Sequence, residues 1–385
     1  MKKQVVTLTV CFLFGLLATP QEIKASYVAK YISNLNGLTN NSVNCILEDK
    51  EHTIWIGTWD GLNAYNGRDI LTFRYKKNDP NSISNNIIRQ LIEQNQNLWI
   101  ATDNGINKLD KTTHQITRYY LQTGNQIPNQ EKSFILGKTN RNRIFCLVKG
   151  VGFFSYNPDN DAFTPIQTKL ASKIKDFVVA PSNQILCLLA DGRVGHLAYE
   201  QLGSSASIRY LQPTGSNMSV SKIFFSNNHF ILNFRNRLSI LHSDFTPAQT
   251  IELDIAKTVS DVKIIGDLLY ISFIEGSCIR YDLKKSSYSY WEELPRQLSI
   301  FTLYSGSQNI LWIGSDGQGL IQLYHYNSKF TTIHTSHPVR AFCEDGKGHI
   351  LIGTKGSGIK LLDTAKNELH DFLSESQGLI SNSVY

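Results

Sequence analysis

The sequence predicts an all-β fold built from one unit that is repeated along the chain. The clearest copy of the unit reads Ile54-Trp55-Ile56-Gly57-Thr58, a short apolar strand with a glycine near its end. Its second residue, Trp55, is the first of eight equivalent positions along the chain. These are Trp55, Trp99, Phe145, Leu186, Ile231, Tyr270, Trp312 and Leu351. These positions are roughly 39–46 residues apart, which is the length of one four-stranded β-propeller blade.

Each repeat contains four strand-like segments in the same order. In the first repeat they run from Val43 to Leu47, from Ile54 to Thr58, from Leu62 to Asn66 and from Ile70 to Tyr75. Polar or glycine-containing turns separate them, and short strands with turn signals at this spacing indicate an all-β fold. The second strand is apolar on both faces, as expected where neighbouring blades cover both sides of a sheet.

The tryptophans and glycines of the repeat fit this geometry. We expect Trp55, Trp99 and Trp312 to pack between blades, because their sequence neighbours are apolar. Gly57 and Gly314 would allow a close approach of the backbone at a crowded position. The tryptophans of the repeat are therefore interpreted as core residues and not as a ligand site.

The ends of the chain indicate how many blades form one ring. The segment from Gly37 to Val43 returns as Gly378 to Val384 with five of seven positions identical. We therefore predict a seven-bladed β-propeller of four-stranded blades over residues 26–333, followed by the start of a second, truncated propeller over 334–385. A single eight-bladed ring with an additional tail is the alternative.

The first 25 residues have the features of a secretory signal peptide. Lys2 and Lys3 precede an uncharged, largely apolar run from Val5 to Ala18, and Ala25 provides a small residue before a cleavage point at Ser26. The run is shorter than the roughly 20 residues that span a bilayer. An uncleaved N-terminal anchor is the alternative. We expect the five later cysteines to be buried free thiols, because none is paired at metal-ligand spacing.

Charge and motifs exclude several functions. A net charge of +6 over 385 residues, without a block of basic and aromatic residues, does not indicate nucleic acid. No metalloprotease, nucleophile-elbow, phosphate-loop or EF-hand motif is present, and His334 and His337 lack further ligands at metal spacing. We expect no catalytic residue, metal or cofactor. Glycoside cleavage needs two carboxyl groups that face one another across a pocket, and sequence spacing does not decide whether folding brings such a pair together. A propeller glycoside hydrolase or polysaccharide lyase therefore stays open as a rival class.

The repeat resembles a known family. The first copy has Gly37-Leu38 and Val43, the acidic pair Glu48-Asp49, and then Trp-Ile-Gly-Thr with Gly-Leu-Asn and Tyr65. This pattern is similar to the two-component regulator propeller repeat. The match is close over 37–75 and 82–120, good over 309–326 and 345–385, and rests on spacing alone between about 134 and 290.

The resemblance implies the periplasmic sensor region of a hybrid two-component histidine kinase and response regulator. In that family two propellers precede a β-sandwich domain, a membrane helix and a kinase, and the sensor responds to glycan fragments. The implied partners are an oligosaccharide and the rest of the sensor with its membrane helix and kinase. A homodimer and a protein-interaction scaffold stay open as further arrangements.

The turns between the second and third strands of all blades should emerge on one side of the ring. In the central blades these turns carry basic residues, and Trp59 in the first blade could stack on a sugar ring. Arginine side chains suit carboxylate or sulfate groups. We therefore predict that one face binds an anionic or otherwise polar oligosaccharide through Trp59, Lys149, Arg193, Arg235 and Arg237.

Overall fold

A computed structural model describes residues 26–121, 133–168, 170–198, 206–211, 219–253, 257–326, 333, 335–366 and 368–385. The predicted signal peptide, residues 1–25, lies outside these residues. The predicted boundary between 333 and 334 borders on undescribed residues as well. Residues 27–325 form one compact unit and residues 326–385 belong to another. The described part of the chain has no α-helix and four short 3-10 turns, at Asn34–Asn36, Ala171–Lys173, Ser307–Asn309 and Glu375–Gln377.

The strands form four-stranded antiparallel sheets, which we number in chain order. Sheet 1 contains β2 (Val43–Glu48), β3 (Ile54–Thr58), β4 (Gly61–Tyr65) and β5 (Ile70–Phe73). Sheet 2 contains β6 (Ile88–Gln94), β7 (Asn97–Thr102), β8 (Gly105–Asp110) and β9 (Ile116–Tyr119). Sheet 3 contains β10 (Phe134–Lys138), β11 (Ile144–Val148), β12 (Gly152–Asn157) and β13 (Ala162–Pro165). Sheet 4 contains β14 (Ile174–Val179), β15 (Ile185–Leu189), β16 (Val194–Ala198) and β17 (Ser207–Leu211).

The remaining sheets follow the same order, with one exception. Sheet 5 contains β18 (Lys222–Ser226), β19 (His229–Asn233), β20 (Arg237–His242) and β21 (Pro247–Glu252). Sheet 6 contains β22 (Val259–Ile265), β23 (Leu268–Phe273), β24 (Cys278–Asp282) and β25 (Ser287–Tyr290). Sheet 7 contains β26 (Ile300–Ser305), β27 (Leu311–Ser315), β28 (Leu320–Tyr326) and, as its outer strand, β1 (Ser26–Ile32). Sheet 8 contains β29 (Val339–Glu344), β30 (His349–Thr354), β31 (Ile359–Asp363) and β32 (Glu368–Leu373).

The first strands of sheets 1 to 7 contact one another in a closed circle, since β2 contacts both β6 and β26. The second-to-third turn of one sheet also bonds to the segment that leads into the next sheet. The Gly61 N–H donates to the Asn86 carbonyl at 2.8 Å, and the Gly317 N–H donates to the Asn41 carbonyl at 3.1 Å, which joins sheet 7 to sheet 1. The predicted propeller architecture of four-stranded blades is confirmed, and so is its closure by a strand near Tyr27.

The second strand of every repeat in residues 27–325 is buried, including the copies that have lost the motif. Trp99 is fully buried between sheets 2 and 3, as the sequence predicts. A Cβ added to Gly57 would lie 2.4 Å from the Cys45 sulfur, so only glycine fits there. Cys146 lies in such a strand and is buried. The prediction of buried thiols is wrong for Cys343, which is exposed on β29.

The repeated sequence at the two ends has a repeated structure within each unit. Gly37 and Gly378 both follow a 3-10 turn with φ near 107°, a conformation that favours glycine. The Asn34 N–H donates to the Asn41 Oδ1 at 2.7 Å, and in the other unit the N–H of residue 375 donates to the Asn382 Oδ1 at 2.8 Å. The seven-residue similarity therefore marks one recurring blade-to-blade connection.

Candidate functional site

The sheets of residues 27–325 present their turns on two faces. We call upper face the one with the turns between second and third strands and the segments that join one sheet to the next. The lower face has the other turns. The Trp59 N–H donates to the Ser42 carbonyl at 3.2 Å and the Lys149 N–H to the Ser133 carbonyl at 3.1 Å, so turn and leading segment do share a face. The turns with Trp59, Lys149, Arg193 and Arg235 therefore lie on the upper face.

Two of the basic residues predicted as ligand contacts, Arg193 and Arg237, make contacts within or beside their own turn. The Arg193 guanidinium is 2.7 Å from the Asp191 carboxylate and 4.4 Å from the centre of the Tyr210 ring. The hydrogen bond with Asp191 raises the pKa of Arg193. Arg235 is exposed in its turn. Arg237 is not a turn residue, because it begins β20, and its guanidinium lies over the Phe234 ring at 4.5 Å.

Lys149 is exposed, and its charge opposes the rise in the pKa of the Asp176 carboxyl group at the upper ends of the inner strands. Burial raises the pKa of Asp176 to about 6, against the opposing effects of a hydrogen bond from the Phe177 N–H and of the charges of Lys149 and Lys222. Burial also lowers the pKa of Lys222, which follows on the first strand of the next sheet. Lys149 therefore belongs to a mixed group of charges near the centre of the ring.

The aromatic side chains on the upper face form a different site. We call aromatic surface the set of Trp59, Tyr75, Tyr120 and Asn104 over sheets 1 and 2. The three rings are 45%, 45% and 52% exposed. A cavity of about 400 Å³ is lined by Tyr75, Tyr120, Asn104 and the segment from Ser84 to Ile87. The Asn104 side chain is exposed and has no hydrogen bond to another described residue.

Hydrogen bonds connect the turn that carries Trp59 with this cavity. Next to Trp59, the Asp60 carboxylate accepts from the Asn86 Nδ2 at 3.0 Å, and the Asn86 Oδ1 accepts from the Tyr75 N–H at 2.7 Å. On the other side, the Arg89 guanidinium lies 5.4 Å from the Trp59 ring. The side chains around the aromatic surface are therefore held by one another before any ligand is present.

Arg118 supports the floor of the cavity. Its guanidinium donates to the carbonyls of Asp79 and Ser82, each at 2.6 Å, and lies 5.8 Å from the Tyr75 ring. These bonds fix the long connection between sheets 1 and 2, so the Tyr75 ring rests on a rigid base. Because its Nε and Nη2 donors are engaged in these hydrogen bonds, Arg118 holds the floor of the aromatic surface in place.

Carboxylates near the aromatic surface are also engaged. The Arg74 Nη2 lies 2.9 Å from the Asp60 Oδ2, and the two Asp103 oxygens accept from Arg89 at 2.6 and 2.8 Å. A glycosidase needs two carboxyl groups that face a glycosidic bond from opposite sides. Asp60 and Asp103 are thus paired with arginine side chains.

One group of described residues has the spacing of a metal site, on the lower face. Ligand oxygens of Asp49, Glu51 and Glu93 lie within 4.8 Å of one another. The Lys111 ammonium contacts all three carboxylates, at 3.1 Å from Asp49 and 2.7 Å from Glu93, and is only 6% exposed. Asp49 also accepts a 2.7 Å hydrogen bond from the Trp55 Nε1. A lysine side chain thus occupies the position that a bound cation would take.

Of the three rings, sequence reasoning named Trp59 alone as a ligand contact, and that contact stays a prediction. Tyr75 lies two residues after the end of β5, and Tyr120 lies one residue after the end of β9. Phe73 and Tyr119 hold equivalent places opposite Leu62 and Ile106, so Tyr75 and Tyr120 come from different positions of the repeat. The repeat pattern therefore gave no signal for the pair, and it did not distinguish Tyr120 from its neighbour Tyr119, which is buried.

Among the described residues there is no helix with the length and apolar character needed to cross a bilayer. Residues 37–60 match the family described as two component regulator propeller. A curated relative, histidine kinase P4 of Formosa agariphila, is 37% identical over 73 residues, which are 19% of this chain and 5% of the relative. The match is therefore to a small part of a much longer protein.

Solved structures share the fold. The extracellular domain of the hybrid two component system BT3049 from B. thetaiotaomicron aligns with a TM-score of 0.62 and 20% identity, over 93% of this chain and 50% of that domain. This chain thus spans about half the length of that domain. Virginiamycin B lyase from Staphylococcus aureus aligns with a TM-score of 0.60 and 10% identity, over 77% of this chain and 99% of the lyase. At these identities the likeness concerns the fold alone, whereas the match over residues 37–60 shows that the chain carries the two component regulator propeller repeat that its motifs predict.

Proposed function

We propose that this chain is the extracytoplasmic ligand-sensing region of a two-component receptor, and that its aromatic surface binds a glycan fragment. The observation that carries the proposal is a cavity of about 400 Å³ lined by the exposed rings of Tyr75 and Tyr120, with the exposed Trp59 ring on the same face. The apolar faces of sugar rings stack on aromatic side chains, and their hydroxyl groups bond to amides such as that of Asn104. Fixed neighbours reduce the entropy that binding costs.

The resemblance to sensor proteins supports the wider setting. The relative from Formosa agariphila is named a histidine kinase, and BT3049 is described as a hybrid two component system. In our proposal residues 26–333 form a seven-bladed ring in the periplasm and residues 334–385 begin a second one. Binding of the glycan is signalled to a membrane helix and a histidine kinase. A homodimer would bring two kinases together. The basic residues Lys149, Arg193, Arg235 and Arg237 remain predicted contacts for an acidic group of the ligand.

The test uses single alanine variants of Trp59, Tyr75 and Tyr120 in the mature chain. Calorimetric titration with a panel of neutral and acidic oligosaccharides should identify a ligand of the unchanged protein. Each variant should then bind it about tenfold more weakly, because a truncated aromatic contact costs about 1.4 kcal/mol. Tyr288→Ala is the control, since Tyr288 is 44% exposed but lies on sheet 6.

Two results would contradict the proposal. Equal affinities for the three variants, Tyr288→Ala and the unchanged protein would remove the aromatic surface as the binding site. Cleavage of any panel member, detected by chromatography of the products, would favour the glycoside hydrolase or lyase class instead.

A further inference from the structure

A second cavity lies on the lower face, at the far ends of sheets 3 and 4 from the turns with the predicted basic contacts. It has a volume of about 310 Å³. It lies between the turn from β10 to β11 and the turn from β14 to β15, with the end of β16 as a third side. Phe145, Ile185 and Leu197, all nearly fully buried, form its apolar floor.

The two turns that flank this cavity are joined to each other and to a third turn. The Asn140 N–H donates to the Asn183 Oδ1 at 3.1 Å, which connects sheet 3 with sheet 4. The Asn142 Nδ2 donates to the Asn95 Oδ1 at 3.1 Å, which connects sheet 3 with sheet 2. The Arg143 N–H donates to the Thr139 Oγ1 at 3.1 Å. The turn that carries Arg141 and Arg143 is therefore anchored on both sides.

The charged groups that line the cavity are basic. Arg141 and Arg143 are two residues apart on the same turn, and His196 lies on the third side. No Asp or Glu is among the described lining residues. Neither arginine forms an ion pair with another residue in the described ranges, in contrast to Arg74 with Asp60. Two arginines thus line the same small cavity without a described counter-charge.

A third arginine adds to the positive potential. Arg209 lies opposite His196 in the pairing of β16 with β17. The pKa of His196 is lowered by burial and by the charge of Arg209, which shows that this charge acts at the cavity wall. The His196 ring is held against Phe245, with 5.1 Å between ring centres. A neutral imidazole in this place can still donate one N–H to an oxygen atom.

We propose that this cavity binds the oxyanion group of a small anionic ligand, a carboxylate, sulfate or phosphate, between the Arg141 and Arg143 side chains. Guanidinium groups are weakly hydrated and donate two parallel hydrogen bonds to such groups. The apolar floor then contacts the rest of the ligand, as in most small-molecule sites. This site is separate from the aromatic surface and does not depend on it.

The experiment is a calorimetric titration of the mature chain at low ionic strength, where charge interactions are least screened. The probes are sodium sulfate, sodium phosphate, sodium glucuronate and, as the neutral sugar, glucose. Arg141→Gln/Arg143→Gln should lower the affinity for the anion that binds by about tenfold or more, because charge-assisted hydrogen bonds are lost. Arg68→Gln, which removes an exposed arginine from a lower-face turn of sheet 1, should leave it unchanged.

A lysine pair provides a second variant that retains the charge. Arg141→Lys/Arg143→Lys should bind with an affinity between those of the unchanged protein and the glutamine pair, since charge remains but the two-pronged geometry is lost. Tighter binding of glucuronate than of sulfate and phosphate would identify an acidic saccharide as the source of the group, and the reverse order would identify a free inorganic anion. Both outcomes support the site.

Three outcomes would overturn the proposal. The first is that no anion binds saturably to the unchanged protein. The second is an unchanged affinity in the glutamine pair whose urea unfolding shows that it is folded. The third is glucose binding that equals anion binding. Trp59→Ala should not alter anion affinity, so a failure here is distinguishable from a failure of the aromatic surface.

Discussion

Replacing Asp176 with asparagine should stabilise the protein at neutral and alkaline pH. The Asp176 carboxyl is on the inner strand β14, directly after a bulge, and its Oδ1 accepts from the Phe177 N–H at 2.8 Å. An asparagine side chain has the same shape and keeps this acceptor. Burial raises the pKa of Asp176 from its usual 3.8 to about 6, because a charged carboxylate is poorly solvated there.

The magnitude follows from the difference between the folded and unfolded pKa values. One pKa unit corresponds to about 1.4 kcal/mol, so ionised Asp176 costs the folded state about 3 kcal/mol relative to the unfolded chain. Well below pH 3.8 both states hold the proton and the cost is absent, and at pH 4 it is still small. It grows as the pH rises, because the unfolded carboxyl loses its proton first, and it is complete above about pH 6. Asparagine cannot ionise and avoids this cost.

Urea unfolding of both proteins at pH 4 and pH 8 measures the effect. Asp176→Asn should gain about 2 to 3 kcal/mol over the unchanged protein at pH 8 relative to its difference at pH 4. Asp244→Asn is the control, because hydrogen bonds from Thr246 lower the pKa of Asp244 and this variant should show no such gain. If the difference between Asp176→Asn and the unchanged protein were equal at the two pH values, the reasoning would be refuted.

Three further predictions concern packing, the lower-face charges and the thiols. Gly57→Ala should lower the free energy of unfolding in urea by about 2 kcal/mol, because its Cβ would lie 2.4 Å from the Cys45 sulfur. Lys111→Met should lower it by about 3 kcal/mol or more, because three carboxylates that contact the ammonium would lose their counter-charge. A thiol reagent at neutral pH should label Cys343 first among the described cysteines, as peptide mass spectrometry would show. Cys343 is exposed, whereas burial raises the pKa of Cys45 to about 12.

Matched variants separate these effects from general sensitivity. A Cβ at position 152 would have its nearest neighbour at 3.7 Å, so Gly152→Ala should change stability by less than about 1 kcal/mol. If Gly57→Ala and Gly152→Ala lowered the free energy of unfolding equally, the steric explanation would be contradicted. The Lys284 side chain is 74% exposed in its ion pair, so Lys284→Met should cost less than about 1 kcal/mol. If Lys111→Met lowered the free energy of unfolding no more than Lys284→Met does, the role of burial at Lys111 would be contradicted. Labelling of a buried thiol as fast as that of Cys343 would contradict the packing of the second strands.

The fold could be predicted because the blade repeats a strong local pattern. The strand Ile54–Thr58 combines an apolar run with glycine, and its copies keep their spacing even where Phe145 or Ile231 replaces tryptophan. Closure by β1 also followed from sequence, since a propeller is stabilised by joining its ends. These features depend on burial, which residue type alone largely determines.

The sites were harder to predict because they depend on which turns become neighbours and which side chains are already engaged. Arg193 looked free in sequence, but the Asp191 carboxylate two residues away binds it. Arg143 and Asn183 line the same lower-face cavity, although they are on different repeats. No periodicity reports such adjacency, and no composition separates a paired arginine from an unpaired one.

The position of β1 in sheet 7 sets an order in time. β1 is a strand of seven residues directly after the predicted signal peptide, and its partner β28 begins at Leu320. In the exported protein that we propose, β1 would be the first strand to leave the membrane channel. It would stay unpaired until nearly the whole unit had been exported and β28 could pair with it. During this interval its edge would be open to other chains, which is how unpaired strands aggregate. The rate of secretion, relative to the rate of misassociation, would then decide how much of this protein reaches its closed form.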